Sequence, residues 1–272
     1  MKTHDTTDVA IIGAGPSGAA AAAWLARRGI NVRVIERQRF PRFSIGESLL
    51  PQCMVHLEAC GLLDAVQTGD FQFKNGAAFT WRDRYAAIDF RDKFSPGLAR
   101  PSTLESRCAL FTHIEDRIDC SHYDRDKILI GLHPEHSGIW YWLIPFSQGR
   151  ASVGVVGDRA TLEAAGVDDN ERLWHFLHAE PRLNKLLANA KAIRDIGRLE
   201  GYSADVEQLH GPGFALLGNA GEFLAKKSIG IASLNNHYAV ASPPSASLST
   251  LGTMVSCHAL SLTINRYHAY AK

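Results

Sequence analysis

The chain has 272 residues, 46% of them hydrophobic, and a formal net charge of +1. That is enough apolar side chain for one large or two small cores, and the charge gives no electrostatic case for nucleic acid or an anionic membrane surface. The apolar runs fall short of the roughly eighteen residues a transmembrane helix needs, and five scattered cysteines (53, 60, 108, 120 and 257) without C-x-x-C spacing predict free thiols in a reducing cytoplasm rather than a disulfide or zinc framework.

Asp8 to Ile12 reads as a short apolar strand, which leaves no room ahead of it for a secretory signal. Gly13-Ala14-Gly15-Pro16-Ser17-Gly18 follows at once, then an alanine-rich helix from Pro16 to Arg28 and a second strand from Asn31 to Ile35 that ends on Glu36 and Arg37. Gly13 permits the tight strand-to-helix turn, Gly15 lets backbone N–H groups approach a pyrophosphate, and Gly18 lets helix and strand pack closely. The helix N-terminus presents its positive dipole end to phosphates, and Glu36 is placed to accept hydrogen bonds from a ribose diol. Strand, glycine turn, helix and terminal acid together specify a dinucleotide site, for FAD or a nicotinamide cofactor.

Residues 49–60 have helical apolar spacing, with Gly61 as the stop. Phe73–Trp81 and Tyr85–Phe90 read as a hairpin about Arg82-Asp83-Arg84. Lys127–Leu132, Ile139–Ile144 and Arg150–Val156 read as an antiparallel meander. Asp168 or Asp169 caps a helix through His178, and Pro181 opens another. Gly213–Leu217 is a last apolar strand, ending in Gly218-Asn219-Ala220-Gly221. The pattern predicts an α/β nucleotide domain with a β-rich substrate domain. His113, His122, His133, His136, His175 and His178 read as dispersed turn and helix-face side chains, with no metal site. From Phe223 to Lys272 the chain carries no acid and is rich in Ser, Ala and Leu. That tail fits a poorly ordered or apolar packing segment, or an end altered relative to the rest.

Five segments carry a resemblance. The glycine turn with Glu36 matches the N-terminal fingerprint of flavoproteins with two dinucleotide-binding domains. Arg39–Pro51, with Gly46-Glu47-Ser48, looks like a G-E-S loop that runs along a flavin. Ile139-Trp140-Tyr141-Trp142-Leu143-Ile144-Pro145 matches a W-x-W-x-I-P motif, and Phe73-Lys74-Asn75-Gly76-Ala77 an F-K-x-G-A segment. Gly213–Leu224, with Gly218-Asn219, is similar to a late G-D/N-A strand end. The chain thus resembles the flavin-dependent halogenases, tryptophan halogenase-like, and related FAD-dependent oxidoreductases. Plainer readings stand beside three of these segments: a tryptophan-rich core strand, a lysine at a strand start and an Asx turn.

The resemblance implies a Rossmann-like FAD-binding domain over 1–70 and 211–230, a β-rich substrate domain over 71–210 and a divergent tail over 231–272. It implies FAD, reduced by a separate flavin reductase and held by Gly13, Ala14, Gly15, Pro16, Ser17, Gly18, Glu36, Arg37, Gly46, Ser48, Gly218 and Asn219. Reaction through a flavin hydroperoxide and hypohalous acid would halogenate a small phenol- or pyrrole-type aromatic, free or carrier-tethered. Lys74 would be catalytic, and Trp140, Trp142, Ile144 and Pro145 would wall the substrate side. Alternatives are a related FAD monooxygenase or prenyl reductase, or a shortened, catalytically silent FAD-binding homologue.

Two departures bear on activity. The family has a long section with a D-x-S/A-G segment between the hairpin and Cys108–His113, where this chain has only Ser95-Pro96-Gly97-Leu98-Ala99-Arg100-Pro101-Ser102. After Leu224 the family continues with Asp-Pro and a loop facing flavin and halide, where this chain reads Ala225-Lys226-Lys227-Ser228-Ile229-Gly230. These gaps predict a nucleotide-binding sheet short of strands and a poor or inactive halogenase.

Overall fold

The computed structural model describes residues 6–42, 48–49, 51–90, 107–119, 121–136, 138–200 and 210–217. Strand β1 (Val9–Ile12) pairs in parallel with β2 (Val32–Ile35), and helix α1 (Pro16–Ala26) crosses between them. The helix lays Ala21, Trp24 and Leu25 on Ile11 and the Cys60 side chain. It ends two residues before Arg28 because the chain tightens there: the Arg28 N–H reaches back to Leu25 O (2.9 Å), and Gly29 takes φ +75°. Helix α2 (Pro51–Cys60) begins two residues after Leu49, at a proline, whose missing N–H costs nothing in a first turn. Gly61 at φ +70° stops it, and α3 (Leu63–Gln67) follows, an element the spacing did not predict.

One face of this β1–β2 pair is covered by α1; Ile12 and Ile35 on the other are 90% and 52% exposed. Parallel strands are ordinarily covered on both faces. Leu217, almost two hundred residues on in sequence, packs against the same cluster as Ile11 and Trp24. The last strand, however, is much shorter than the Gly213–Leu217 expected. Among the described residues, Phe214–Ala215 (β12) pairs only with His210–Gly211 (β11). Gly213 sits between them at φ +83°, after Pro212, so this glycine turns the chain instead of starting a strand.

The second unit is one large, mostly antiparallel sheet. Its strands are β3 (Gly76–Trp81), β4 (Arg84–Asp89), β5 (Cys108–Glu115), β6 (Lys127–Leu132), β7 (Trp140–Pro145), β8 (Arg150–Gly157), β9 (Lys191–Ala192) and β10 (Gly197–Glu200). The order is β10-β5-β8-β7-β6-β3-β4, with β9 also on β5. The predicted meander is β6–β7–β8, and β3 joins it by a parallel pairing with β6. The hairpin closes on Arg82-Asp83, with Arg82 at φ 56°, so β4 starts one residue earlier than the sequence suggested. β3 starts three residues later than predicted, at Gly76, because Lys74 and Asn75 are held by the loop before β6: the Asn75 N–H donates to Asp126 O (2.9 Å).

Period-two alternation sorts the two faces. Leu110, Ile114, Leu129, Tyr141, Leu143, Val153 and Val155 face helices α4 (Arg159–Glu163), α5 (Asp169–Ala179) and α6 (Pro181–Leu186). Asp168 caps α5 through the Glu171 N–H (2.9 Å), and Glu180 caps α6 through Leu183 (2.7 Å) while accepting from the Thr80 hydroxyl (3.0 Å). Burial raises the Glu180 pKa. The opposite face carries Ala109, Phe111, Ile128, Ile130, Trp140, Trp142, Ile144 and Val156.

The turn from β6 to β7 is built on an imidazole. His133 Nδ1 accepts the N–H groups of Glu135 and His136, both at 3.1 Å, and its ring lies 4.7 Å from that of His136. Only a ring unprotonated at Nδ1 can accept. Burial first, then the nearby His136, moves the His133 pKa below 6.5. The unfolded chain therefore binds the extra proton more readily, and this contribution to stability is lost as pH falls from 6.5 through the folded value. Urea unfolding at about pH 5 should show a lower midpoint than at about pH 7.5, and His133→Asn should flatten the difference. A variant with the full wild-type pH dependence would remove His133 from that role.

Candidate functional site

The glycine turn shows three different reasons for glycine. Gly13 has φ +100°, which L side chains rarely adopt. A Cβ on Gly18 would stand 2.0 Å from Gly13 O and 3.3 Å from Ile11 Cγ2, so close packing of helix on strand demands glycine. Gly15 has neither reason: its φ is −66°, and a Cβ there would meet only Arg42 Nη2, at 3.8 Å. Nothing within the described chain fills that space. Gly15 is also the N-cap of α1, with no side-chain hydrogen bond to the helix end. An open cradle at a helix N-terminus fits a pyrophosphate.

Glu36 closes the other side of the turn. Its carboxylate accepts from the N–H groups of Ala14 (2.8 Å) and Gln38 (2.9 Å), and these bonds hold its pKa below 4.5. It is therefore an anion at neutral pH, as a ribose acceptor must be. Arg37 is exposed beside it, Pro16 and Ser17 begin α1, and Ser48 is buried. Gly46, Gly218 and Asn219 lie outside the described residues.

The aromatic strand behaves as its period requires. Trp140, Trp142 and Ile144 share one face of β7, next to Phe111. The Trp142 ring is 5.9 Å from that of Trp140 and 6.3 Å from that of Phe111. Gly154, opposite Trp142 on β8, gives the indole its room: a Cβ there would stand 2.3 Å from two ring carbons. The indole N–H donates to Ser152 Oγ (3.0 Å). Trp142 and Ile144 are fully buried, and Trp140 keeps 8% of its surface exposed. Pro145 ends the strand.

Lys74 is the outlying group of this unit. It is 1% exposed, one of the largest fully buried side chains. Its Nζ donates to the carbonyls of Phe73 (3.2 Å) and Arg125 (2.9 Å). Burial, opposed by Asp126, brings its pKa from 10.5 down to about 7. It lies just before Gly76, which pairs with Lys127, at the end of the sheet where Pro145 closes β7. Trp140 starts β7 at the opposite end, about 17 Å away along the strand. The fold brings Trp140, Trp142 and Ile144 together on one face, and sets Lys74 beyond the Pro145 end of that strand.

What sequence reasoning missed is the cradle of Lys74. The run Tyr123-Asp124-Arg125-Asp126-Lys127 forms it. Asp126 accepts from Gln72 (2.8 Å), Lys127 donates to Asn75 Oδ1 (2.7 Å), and Arg125 pairs with Asp116. Ser147 and Gln148 add bonds to Asp70 (3.0 and 2.6 Å). The alternating charges were the available signal. No group of three His, Cys, Asp or Glu side chains among the described residues is arranged to hold a metal, and no helix there is long and apolar enough to cross a membrane.

The family description "Tryptophan halogenase" matches residues 8–105. The 1H-pyrrole-2-carbonyl-[peptidyl-carrier protein] chlorinase of Pseudomonas fluorescens is 23% identical, over 82% of this chain and 72% of its own length. That alignment runs over 323 positions, although 82% of this chain is only about 223 residues, so roughly a hundred positions are gaps, most of them facing no residue here. The tryptophan 2-halogenase of Chondromyces crocatus is 38% identical over 91 residues, which is 34% of this chain but only 17% of that enzyme. Among solved structures, a flavoprotein/dehydrogenase from Cytophaga hutchinsonii superposes with a TM-score of 0.72 at 30% identity, covering 80% of this chain and 72% of that one.

Proposed function

This chain belongs to the flavin-dependent halogenase family of FAD-dependent oxidoreductases, whose cofactor is FAD, and from that premise we propose that it halogenates an electron-rich phenol- or pyrrole-type ring through Lys74. The ADP half of FAD would rest on the Gly13–Gly18 turn with Glu36 on the ribose. Arg37, Gly46, Ser48, Gly218 and Asn219 would hold the remainder. FAD, reduced by a separate flavin reductase, would activate molecular oxygen, and that oxygen is the oxidant that would turn halide into hypohalous acid.

The observation that carries the reading is the burial of Lys74, whose Nζ rests on the carbonyls of Phe73 and Arg125. In its neutral form the amine would give those carbonyls its two N–H groups and keep its lone pair free. That nitrogen attacks the halogen of hypohalous acid: the N–halogen bond forms, the halogen–oxygen bond breaks, and the amine proton leaves with the hydroxide as water. The ring carbon next takes the halogen from nitrogen, and the displaced ring proton returns to the amine. Trp140, Trp142 and Ile144 keep water from the substrate side. The carrier-tethered pyrrole named for the Pseudomonas chlorinase makes a free or carrier-bound aromatic the first substrate to try.

One observation favours a second reading. The exposed Ile12 and Ile35 mark a nucleotide-binding sheet that is open on one face, as a shortened, catalytically silent FAD-binding homologue would have. A turnover assay separates the two. The chain is supplied with reduced FAD, oxygen, bromide and a pyrrole or phenol, beside a version carrying the family's middle section and Asp-Pro loop. Brominated product from the native chain, absent with Lys74→Met, supports the halogenase. Product only from the extended version assigns the native chain to the silent class. No product from either sinks the halogenase reading.

A further inference from the structure

We propose that Arg125, clamped by Asp116, is the positioning residue of Lys74: it fixes the backbone carbonyl on which the amine rests and keeps water out of the amine's burial site. The inference rests on the reading of Lys74 as the halogen-carrying amine. The geometry is that of a staple. The Arg125 guanidinium pairs with the buried Asp116 carboxylate and donates to the carbonyls of Phe146 (2.6 Å) and Arg150 (3.2 Å). It thereby ties three places together: the end of β5, the end of β7 and the start of β8. Asp116 is itself fixed, because its N–H donates to Gly149 O (3.0 Å) and its carboxylate accepts from Ile118 (3.2 Å). The main-chain carbonyl of Arg125 receives Lys74 Nζ at 2.9 Å. A side chain anchored at three points and a carbonyl on the same residue leave the carbonyl little freedom.

Such an arrangement has a use beyond packing. A guanidinium cannot lose its proton, and its planar fork suits several acceptors at once, which an ammonium cannot reproduce. The charged groups acting on Lys74 are Asp126 and Asp124, which favour the ammonium, and Arg125, which disfavours it. Lys127, also nearby, is engaged by Asn75 and Asp124. Burial outweighs all of them and makes the amine available near neutrality. Holding the loop shut is therefore the same act as setting the proton equilibrium of Lys74.

The test reads that equilibrium directly. Lysine Nζ is labelled with ¹⁵N, its signal for Lys74 is identified by its loss in Lys74→Met, and its titration midpoint is measured by NMR. In the wild type the midpoint should fall at about 7. In Arg125→Met, which removes both the staple and the repelling charge, the midpoint should rise by about one unit or more, and the pH–rate midpoint of halogenation should rise with it. Arg125→Lys keeps the charge but not the three-point anchorage, and it should also rise. A wild-type midpoint in Arg125→Lys would reduce the effect to charge alone and overturn the positioning role, as would a wild-type midpoint in both. If Arg125→Met fails to fold, Arg125→Lys decides. If Lys74→Met keeps full halogenation, the function assigned to Lys74 falls, while the NMR midpoint still decides whether Arg125 positions it.

Discussion

Gly15→Val should leave a folded protein that no longer retains FAD. In the structure a Cβ at this position meets nothing nearer than 3.8 Å, and its φ of −66° is one that valine adopts freely. The substitution therefore costs little within the chain itself. The branched side chain would instead stand where the pyrophosphate approaches the backbone. Losing one or two charge-assisted hydrogen bonds there is worth about 1.5–3 kcal/mol each, so affinity should fall by about tenfold or more. Gly18→Ala gives the contrast. Its Cβ would press on Gly13 O, so it should unfold the helix–strand contact before it affects the ligand. Titration of each purified variant with FAD, followed by flavin fluorescence alongside circular dichroism, separates the two. Wild-type affinity in Gly15→Val would remove the nucleotide from this turn.

Lys74→Met should lose about a thousandfold in halogenation while becoming more stable. The first figure is within the roughly 10²–10⁴ that a positioned proton-transferring group contributes. The second follows from linkage. The folded pKa of about 7 lies below the ordinary 10.5, so between those values the unfolded chain binds the proton more tightly, and stability rises with pH. At neutral pH and below, the fold still bears the cost of a buried ammonium. Replacing it with an apolar side chain of similar length should stabilise by about 1–4 kcal/mol. Lys74→Arg, charged at every accessible pH, should be as inactive as the methionine variant. The wild-type rate should increase with pH through about 7, as the amine loses its proton. A rate that falls across that range, or an active arginine variant, would replace the neutral amine with a charged hydrogen-bond donor.

The sequence disclosed what depends on short-range repetition. The glycine turn, the parity of Trp140, Trp142 and Ile144, the meander, the cap at Asp168 and the helix start at Pro181 follow from local spacing and are present in the structure. Pairings between distant segments were not legible. Nothing in Phe73–Asn75 announces that the loop before β6 will take it out of β3, or that Asp116 will reach Arg125. Those contacts need strands far apart in sequence to be in register first. The hairpin at 210–215 was missed for the opposite reason: an apolar run concealed the Pro-Gly turn within it.

The order of the large sheet has a consequence for insertions. β4 is its edge strand, whereas β5 lies five strands across from it. At about 4.8 Å per strand the connection must cross about 24 Å. The 17 peptide units between Phe90 and Arg107 can extend to about 60 Å, more than twice what is needed. Because closure entropy grows only slowly with loop length, a connection several times longer would cost the sheet little. This connection is thus a permissive site, where residues can be gained or lost without altering the register of β7 or the loop that holds Lys74. Material grafted there would leave the face of Trp140, Trp142 and Ile144 and the loop around Lys74 as they are, so chain length at this point and the packing of the large sheet are open to change by separate routes.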